Sequence, residues 1–335
     1  MKIGLISDLH IKLHKKNNRF LPHITRSLDL FREQCEERKI ESVFILGDVF
    51  HTKDMIGIET QHHALQSLTK IMKRFNTYLI PGNHDILTRN STTINSVSIF
   101  RDTCHFIDDL KRFTLNKRDY YFLPFFQDEI VKEKLKTIIL ERESYLLTHL
   151  GLRGFNLDNG HEDVFSDLAA EDINIGFKRI FSGHYHGYQT INNITYISSP
   201  FESHFGDHGQ HGWCFYDDDA DQLEFYENEL SPRFVHAELN KKSMDDILSL
   251  KNCFIKLKIK KNIEQIVLLK LRDKLLQNNF DVQFEWNIVN NIQKIAIAKD
   301  WENYISEDVE DIIKSYVKEN EFDTDKQKML DYLFN

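Results

Sequence analysis

Five short hydrophobic runs in this chain each lead into side chains that bind metals or exchange protons. Ile3–Ser7 leads into Asp8 and His10, Val43–Leu46 into Gly47 and Asp48, and Thr77–Ile80 into Gly82, Asn83, His84 and Asp85. Tyr145–Thr148 leads into His149, and Ile180–Ser182 into Gly183, His184, Tyr185 and His186. Open α/β sheets place their sites beyond the carboxyl ends of strands, so groups at successive strand mouths can converge on one point. The spacing therefore predicts an α/β fold with a two-metal site at the ends of its strands.

The chain has 335 residues, enough for two domains or for one with a substantial appendage. Cys35, Cys104, Cys214 and Cys253 are scattered, with no paired spacing, so thiolate metal binding is not expected and a reduced, cytoplasmic chain is. The first apolar run is broken by Asp8 and His10, and neither a signal peptide nor a membrane span is expected. A net charge of −9 argues against nucleic acid if taken whole. Divided along the chain it does not: residues 1–230 carry −8, residues 231–299 carry +6 and residues 300–335 carry −7.

A boundary is placed near Ser231 and Pro232, because proline ends regular structure. Before it, strands alternate with helices: Leu28, Phe31 and Cys35 share one helical face, and Leu65, Leu68, Met72 and Phe75 another. Closely spaced strands follow at 195–198, 213–216 and 223–226, which predicts stacked sheets flanked by helices. Residues 254–299 read as strand, helix, strand, strand. After Trp301, Ser306 resembles an N-cap, and Val309, Ile312, Ile313, Tyr316 and Val317 form an apolar helical stripe.

Mixed carboxylate, imidazole and amide donors suit two divalent ions of borderline hardness: Mn²⁺ first, with Mg²⁺, Fe²⁺ or Zn²⁺ as alternatives. Two ions roughly 3.5–4 Å apart need a shared ligand, usually a carboxylate. Asp48 is the natural bridge, since Gly47 lets the backbone turn sharply at the strand end. Adjacent side chains diverge, so His84 is free to act as a general acid if Asn83 ligates, with Asp85 fixing its tautomer. A lone Asp-x-His at a strand end is often a cap or a surface turn. The Gly-Asn-His-Asp sequence is far more specific, and the five motifs in this order more so still.

In order and wording these motifs resemble the calcineurin-like metallophosphoesterases: Asp-Leu-His at 8–10, Gly-Asp-Val-Phe at 47–50, Gly-Asn-His-Asp at 82–85, His149, and Gly-His-Tyr-His at 183–186. Within that superfamily, Gly-Asp-Val-Phe-His before a helix looks like the Mre-eleven/SbcD double-strand-break repair nucleases, as does the run 195–207 followed by 212–217. The resemblance covers about residues 1–230 and implies a four-layer αββα sandwich. It assigns one ion to Asp8, His10 and His186 and the other to Asn83, His149 and His184, with Asp48 bridging and His84 at the scissile phosphate. His51 becomes either an accessory DNA contact or a hydrogen-bond partner of a metal ligand. Ser198-Ser199 stands where the family usually has Gly-Ser.

The resemblance further implies three regions: a nuclease domain over 1–230, a small α/β capping domain over 231–300 that contacts DNA, and C-terminal helices over 301–335. Those helices would dock on the coiled coil of an SbcC/Rad-fifty-type ATPase, and the helix carrying His62 and His63 would serve a homodimer. Affinity for DNA comes mostly from phosphate neutralisation, so nearby basic groups are candidate contacts: His14, Lys15, Lys16 and Arg19, then Lys53 and Arg89. Lys256, Lys258 and Lys260 form a stripe that is either DNA-facing or a solubilising edge. His204, His208 and His211 read as local hydrogen-bonding residues. The expected function is a Mn²⁺-dependent exonuclease and endonuclease acting in recombination and break processing. The alternatives are a phosphodiesterase or phosphatase for small molecules or proteins, and a catalytically silent scaffold that only binds DNA ends.

Overall fold

In a computed structural model the chain divides into two compact units, Met1–Ser231 and Pro232–Asn335. The structure describes residues 1–13, 19–239, 244–259, 263 and 265–286. The first unit is built on two six-stranded sheets. In the first, the strands Lys2–Ile6, Ser42–Ile45, Asn76–Leu79 and His105–Phe106 run parallel, and Gly212–Asp217 and Gln222–Glu227 extend it as an antiparallel hairpin beside Lys2–Ile6. In the second, Arg118–Leu123, Ser144–His149, Arg179–Gly183 and Ile194–Tyr196 are parallel, with antiparallel edges at Lys111–Leu115 and Gln189–Ile191.

Strands covered on both faces read as continuous apolar runs, and their two faces alternate with period two. Tyr120, Phe122, Tyr145 and Leu147 turn inward to meet Ile3, Leu5, Phe44, Tyr78 and Ile80 of the first sheet. Phe44 lies at the centre of that layer, 5.0 Å from Phe122, 5.2 Å from Tyr78 and 5.7 Å from Tyr120 between ring centroids. The alternate residues Tyr121, Leu123 and Leu146 turn outward, onto Val131 and Leu135 of the helix Asp128–Lys136 and Ile173 of the short helix Ala170–Ile173.

The first sheet is covered by the helices Phe20–Glu37 and Ile58–Arg74. Leu28, Phe31 and Cys35 are buried as their spacing predicts, and Trp213 reaches across to donate to Gln34 Oε1 at 2.9 Å. The buried face of the second helix is centred on Ala64, Ser67, Leu68 and Ile71, with Leu65 only half-buried, a rotation from the predicted stripe. The layers therefore run helix, sheet, sheet, helix, the αββα order expected of this fold class.

In the second unit the strands Arg233–Glu238, Cys253–Ile259 and Asp281–Trp286 form a parallel sheet in that order. The helices Met244–Ser249 and Gln265–Leu276 connect them, over a core of Ile247, Cys253, Ile255, Leu257, Leu271 and Val282. The strand Arg233–Glu238 and the first of these helices were not read from the sequence. Cys253–Ile259 is the central strand rather than an edge, which removes the edge reading of its lysines. Lys258 stands opposite Glu238 on one side and Glu285 on the other, so carboxylates flank the basic stripe. Lys260, and the stretches where a fourth strand and C-terminal helices are expected, lie outside the described residues. Among the described residues no helix is long and apolar enough to cross a membrane.

Candidate metal centre

All five motifs meet at one place. Asp8, Asp48 and Asn83 follow parallel strands of the first sheet; His149 ends a strand of the second and His184 follows its neighbour. The site thus lies on the seam between sheets, at the carboxyl ends of strands from both. Backbone geometry there is specialised: Asp8, His10, Asp48 and His184 all have positive φ, from 42° to 100°. Left-handed backbone at non-glycine residues persists where surrounding structure over-determines it, and it clusters at functional sites. Gly82 and Gly183 admit this crowding: a Cβ on Gly82 would lie 2.6 Å from Asp48 N, and one on Gly183 2.7 Å from both His149 Nδ1 and Leu46 O.

The donors form two groups. In the first, His186 Nε2 lies 3.0 Å from His10 Nε2, and His10 Nε2 lies 3.9 Å from Asp8 Oδ1. In the second, Asn83 Oδ1 lies 3.0 Å from His149 Nε2 and 2.8 Å from His184 Nδ1. Asp48 stands between them, its Oδ2 3.5 Å from His10 Nε2 and 3.5 Å from His149 Nε2. Asp8, Asp48, His10 and His149 are all buried. Three of the four are also tied to backbone: Asp48 Oδ1 accepts from His84 N at 2.7 Å, Asp8 from His184 N at 3.1 Å, and His149 Nδ1 lies 2.7 Å from Leu46 O.

The electrostatics fit cations in both groups. Burial pushes the Asp48 carboxyl up, but His149, His10 and His84 outweigh it and hold the group well below the usual carboxylate range. Burial works against charge on His149, yet Asp48 and Asp8 raise it to about 9. Burial likewise opposes charge on His186, yet Asp207 and Asp158 raise it to about 9. One imidazole in each group is thus drawn towards a positive charge, and imidazole nitrogens converge with carboxylate and amide oxygens at 3–4 Å. Such a donor set suits divalent ions of borderline hardness.

His84 stands over this centre, its ring centroid 4.9 Å from that of His10. Its Nδ1 meets the backbone carbonyl of His51 at 2.8 Å, which leaves Nε2 for the cavity. The sequence expectation that Asp85 fixes this tautomer is corrected here. The Asp85 carboxylate is fully buried and accepts from Gly82 N at 3.0 Å, Val49 N at 3.1 Å and Phe50 N at 3.3 Å. It braces the loop carrying Asp48 instead, because side chains adjacent in sequence point apart.

His51 is brought to the site, its ring 5.5 Å from His10 and 5.8 Å from His84. Arg89 is exposed at the turn between the strands Ile86–Thr88 and Ser91–Asn95 and does not line the cavity. Lys15 and Lys16 lie outside the described residues. His62 is exposed, while His63 Nδ1 lies 3.0 Å from Thr25 Oγ1 of the neighbouring helix. His204 lines the cavity, and its Nδ1 accepts from Gly206 N at 3.0 Å. The loop departure at Ser198 is accommodated: Ser198 itself takes φ 80°, and Ser199 N still donates to His186 O at 2.9 Å.

The open cavity has a volume of about 450 Å³, and its lining adds Leu157, Asp158 and Asn159 to the histidines. Sequence reasoning missed Asp158 altogether, since no strand or motif leads into it. Asp207, 3.8 Å from His186 Nδ1, sat unremarked inside a matched run.

The sequence profile of the calcineurin-like phosphoesterases matches residues 1–188. Exonuclease subunit 1 of Enterobacteria phage T4 is 24% identical over 236 residues, 68% of this chain and 68% of that protein. An uncharacterized protein of Acanthamoeba polyphaga mimivirus is 23% identical over 245 residues, 65% of this chain; the chain spans 18% of that protein's length. Among solved structures, a dimetal phosphatase from Danio rerio is similar at 12% identity and a TM-score of 0.42, covering 64% of this chain and 91% of that one.

Proposed function

The chain belongs to the calcineurin-like phosphoesterases, metal-dependent hydrolases of phosphoesters, and on that footing we propose that it is a DNA nuclease. The observation that carries phosphodiester chemistry is the position of Asp48 Oδ2, 3.5 Å from one imidazole of each donor group. In this reading Asp8, His10 and His186 hold one divalent cation, Asn83, His149 and His184 hold the other, and Asp48 holds both. The bound pair supplies Lewis-acid activation of water and of the phosphate oxygens. Mn²⁺ suits the donors best.

The protein's own groups do the rest. Asp85 fixes the loop that carries Asp48, so the bridge is set before substrate arrives. His84 presents Nε2 to the cavity with Nδ1 anchored on the His51 carbonyl, and donates a proton to the departing oxygen. His51, beside it, contacts the substrate strand. DNA as the polymer is supported by the likeness to the phage T4 exonuclease subunit over 236 residues. That relative is a subunit, which motivates a partner here; we take the partner to be a coiled-coil ATPase, and the protein to work as a homodimer in recombination and break repair.

Purified protein with Mn²⁺ is expected to degrade linear duplex DNA and to open hairpin DNA, and to turn over bis-p-nitrophenyl phosphate. Turnover of the small diester, or of cyclic nucleotides, with both DNAs left intact in the presence and absence of the ATPase would replace the nuclease with a small-molecule phosphodiesterase. A protein that binds DNA ends but carries no metal would instead be the silent scaffold.

A further inference from the structure

His186 is approached on the ring edge opposite His10 by carboxylates of two other loops. Asp158 Oδ2 lies 3.1 Å from its Nδ1, while Asp158 Oδ1 accepts from its backbone N–H at 2.8 Å. One carboxylate thus bonds the main chain of a residue and places its charge beside that residue's ring, at ion-pair distance and without hydrogen-bond alignment. Asp207, from another loop, lies 3.8 Å from the same ring nitrogen and is itself held by Ser203 N at 2.6 Å. The opposite nitrogen, Nε2, is the one that faces His10.

The loop bearing Asp158 is itself strapped down. Asp163 accepts from Phe165 N at 2.8 Å, from Ser166 N at 3.0 Å and from the Tyr185 hydroxyl at 2.5 Å. Tyr185 sits between His184 and His186, so this strap joins the loop to the Gly-His-Tyr-His turn. His208 N closes the other side on the Asp158 carbonyl at 2.8 Å.

We propose that Asp158, seconded by Asp207, is a positioning residue for the metal centre: it locks the His186 imidazole so that Nε2 alone faces the cation shared with Asp8 and His10. The inference rests on the metal assignment above. An imidazole can ligate through Nε2 only when that nitrogen carries no proton, and a carboxylate on Nδ1 enforces this tautomer and raises ligand basicity. Such outer partners typically govern metal affinity by about 10–100-fold. Asp158 is therefore specific to one of the two ions. Among the described residues no hydrogen bond or ion pair joins it to Asn83, His149 or His184.

Mn²⁺ titrated calorimetrically into the metal-stripped full-length chain tests this without reference to activity. Wild type is expected to take up two ions. Asp158→Ala, and more mildly the isosteric Asp158→Asn, is expected to weaken one of them by about tenfold or more and leave the other at wild-type affinity. The melting temperature of the stripped Asp158→Asn protein is expected to match that of stripped wild type, which separates positioning from folding. Two ions bound at wild-type affinity in both variants would overturn the proposal, as would equal weakening of both ions. Wild type that binds two ions yet cleaves no DNA would sink the nuclease reading and leave this one standing.

Discussion

At the residue scale the site depends on which nitrogen of a histidine faces the cavity, and for three of them a neighbouring backbone carbonyl or carboxylate bears on that. His149 is set by Leu46 O, His84 by His51 O and His186 by Asp158. Histidine is suited to both tasks, ligation and proton transfer, but one ring cannot do both at once through the same nitrogen. His84 is placed for transfer: its main-chain N–H binds Asp48, while its ring belongs to the cavity. We therefore expect His84→Ala to retain two Mn²⁺ per chain by elemental analysis and to lose roughly 10²–10⁴-fold in DNA cleavage, the usual range for one general acid. Loss of metal in that variant would move His84 into the ligand set.

At the scale of elements, strand ends matter more than strands. The five apolar runs could be read as strands carrying ligands because chemistry and scaffold lie side by side in the sequence. What the sequence withheld was whatever depended on long-range partners. Asp85 was assigned to its neighbour His84, when its carboxylate spans 36 positions to reach Val49 N. Asp158 stands in a loop of ordinary composition, and only the fold carries it to His186. The basic stripe at Lys256 and Lys258 was read without its register, so Glu238 and Glu285 could not be seen. Arg233–Glu238 went unread because its burial follows no clean alternation.

The tight meeting of strand ends has its own test. Gly82→Ala would place a methyl group 2.6 Å from Asp48 N, and the atoms it would meet are backbone and a buried carboxylate that cannot swing away. Over-packing of this kind costs about 1–3 kcal/mol. We expect a lower melting temperature by thermal scanning and weaker binding of both Mn²⁺ ions by calorimetry, since Asp48 serves each group. A variant with unchanged stability and affinity would show that the loop yields, contrary to the geometry.

At the scale of the whole molecule, the unit Met1–Ser231 contains both sheets and every candidate ligand. The second unit has its own sheet and core, and residues 232–299 within it carry a net charge of +6 where residues 1–230 carry −8. A fragment ending at Ser231 is expected to fold, bind Mn²⁺ and hydrolyse bis-p-nitrophenyl phosphate at a rate within a few fold of the full chain. It is also expected to lose affinity for duplex DNA in a gel-shift titration at moderate salt. Equal DNA affinity in fragment and full chain would remove the second unit from substrate binding.

The placement of ligands on both sheets also bears on how the protein is made. A ribosome that has passed the third strand and the turn after it has delivered Asp8, His10, Asp48 and Asn83. The remaining histidines, at 149, 184 and 186, are not yet synthesised. Until they emerge and the second layer docks, the nascent polypeptide holds half a coordination sphere and cannot cut. A complete donor set and completed tertiary folding thus arrive together, a coupling written into the order of the strands.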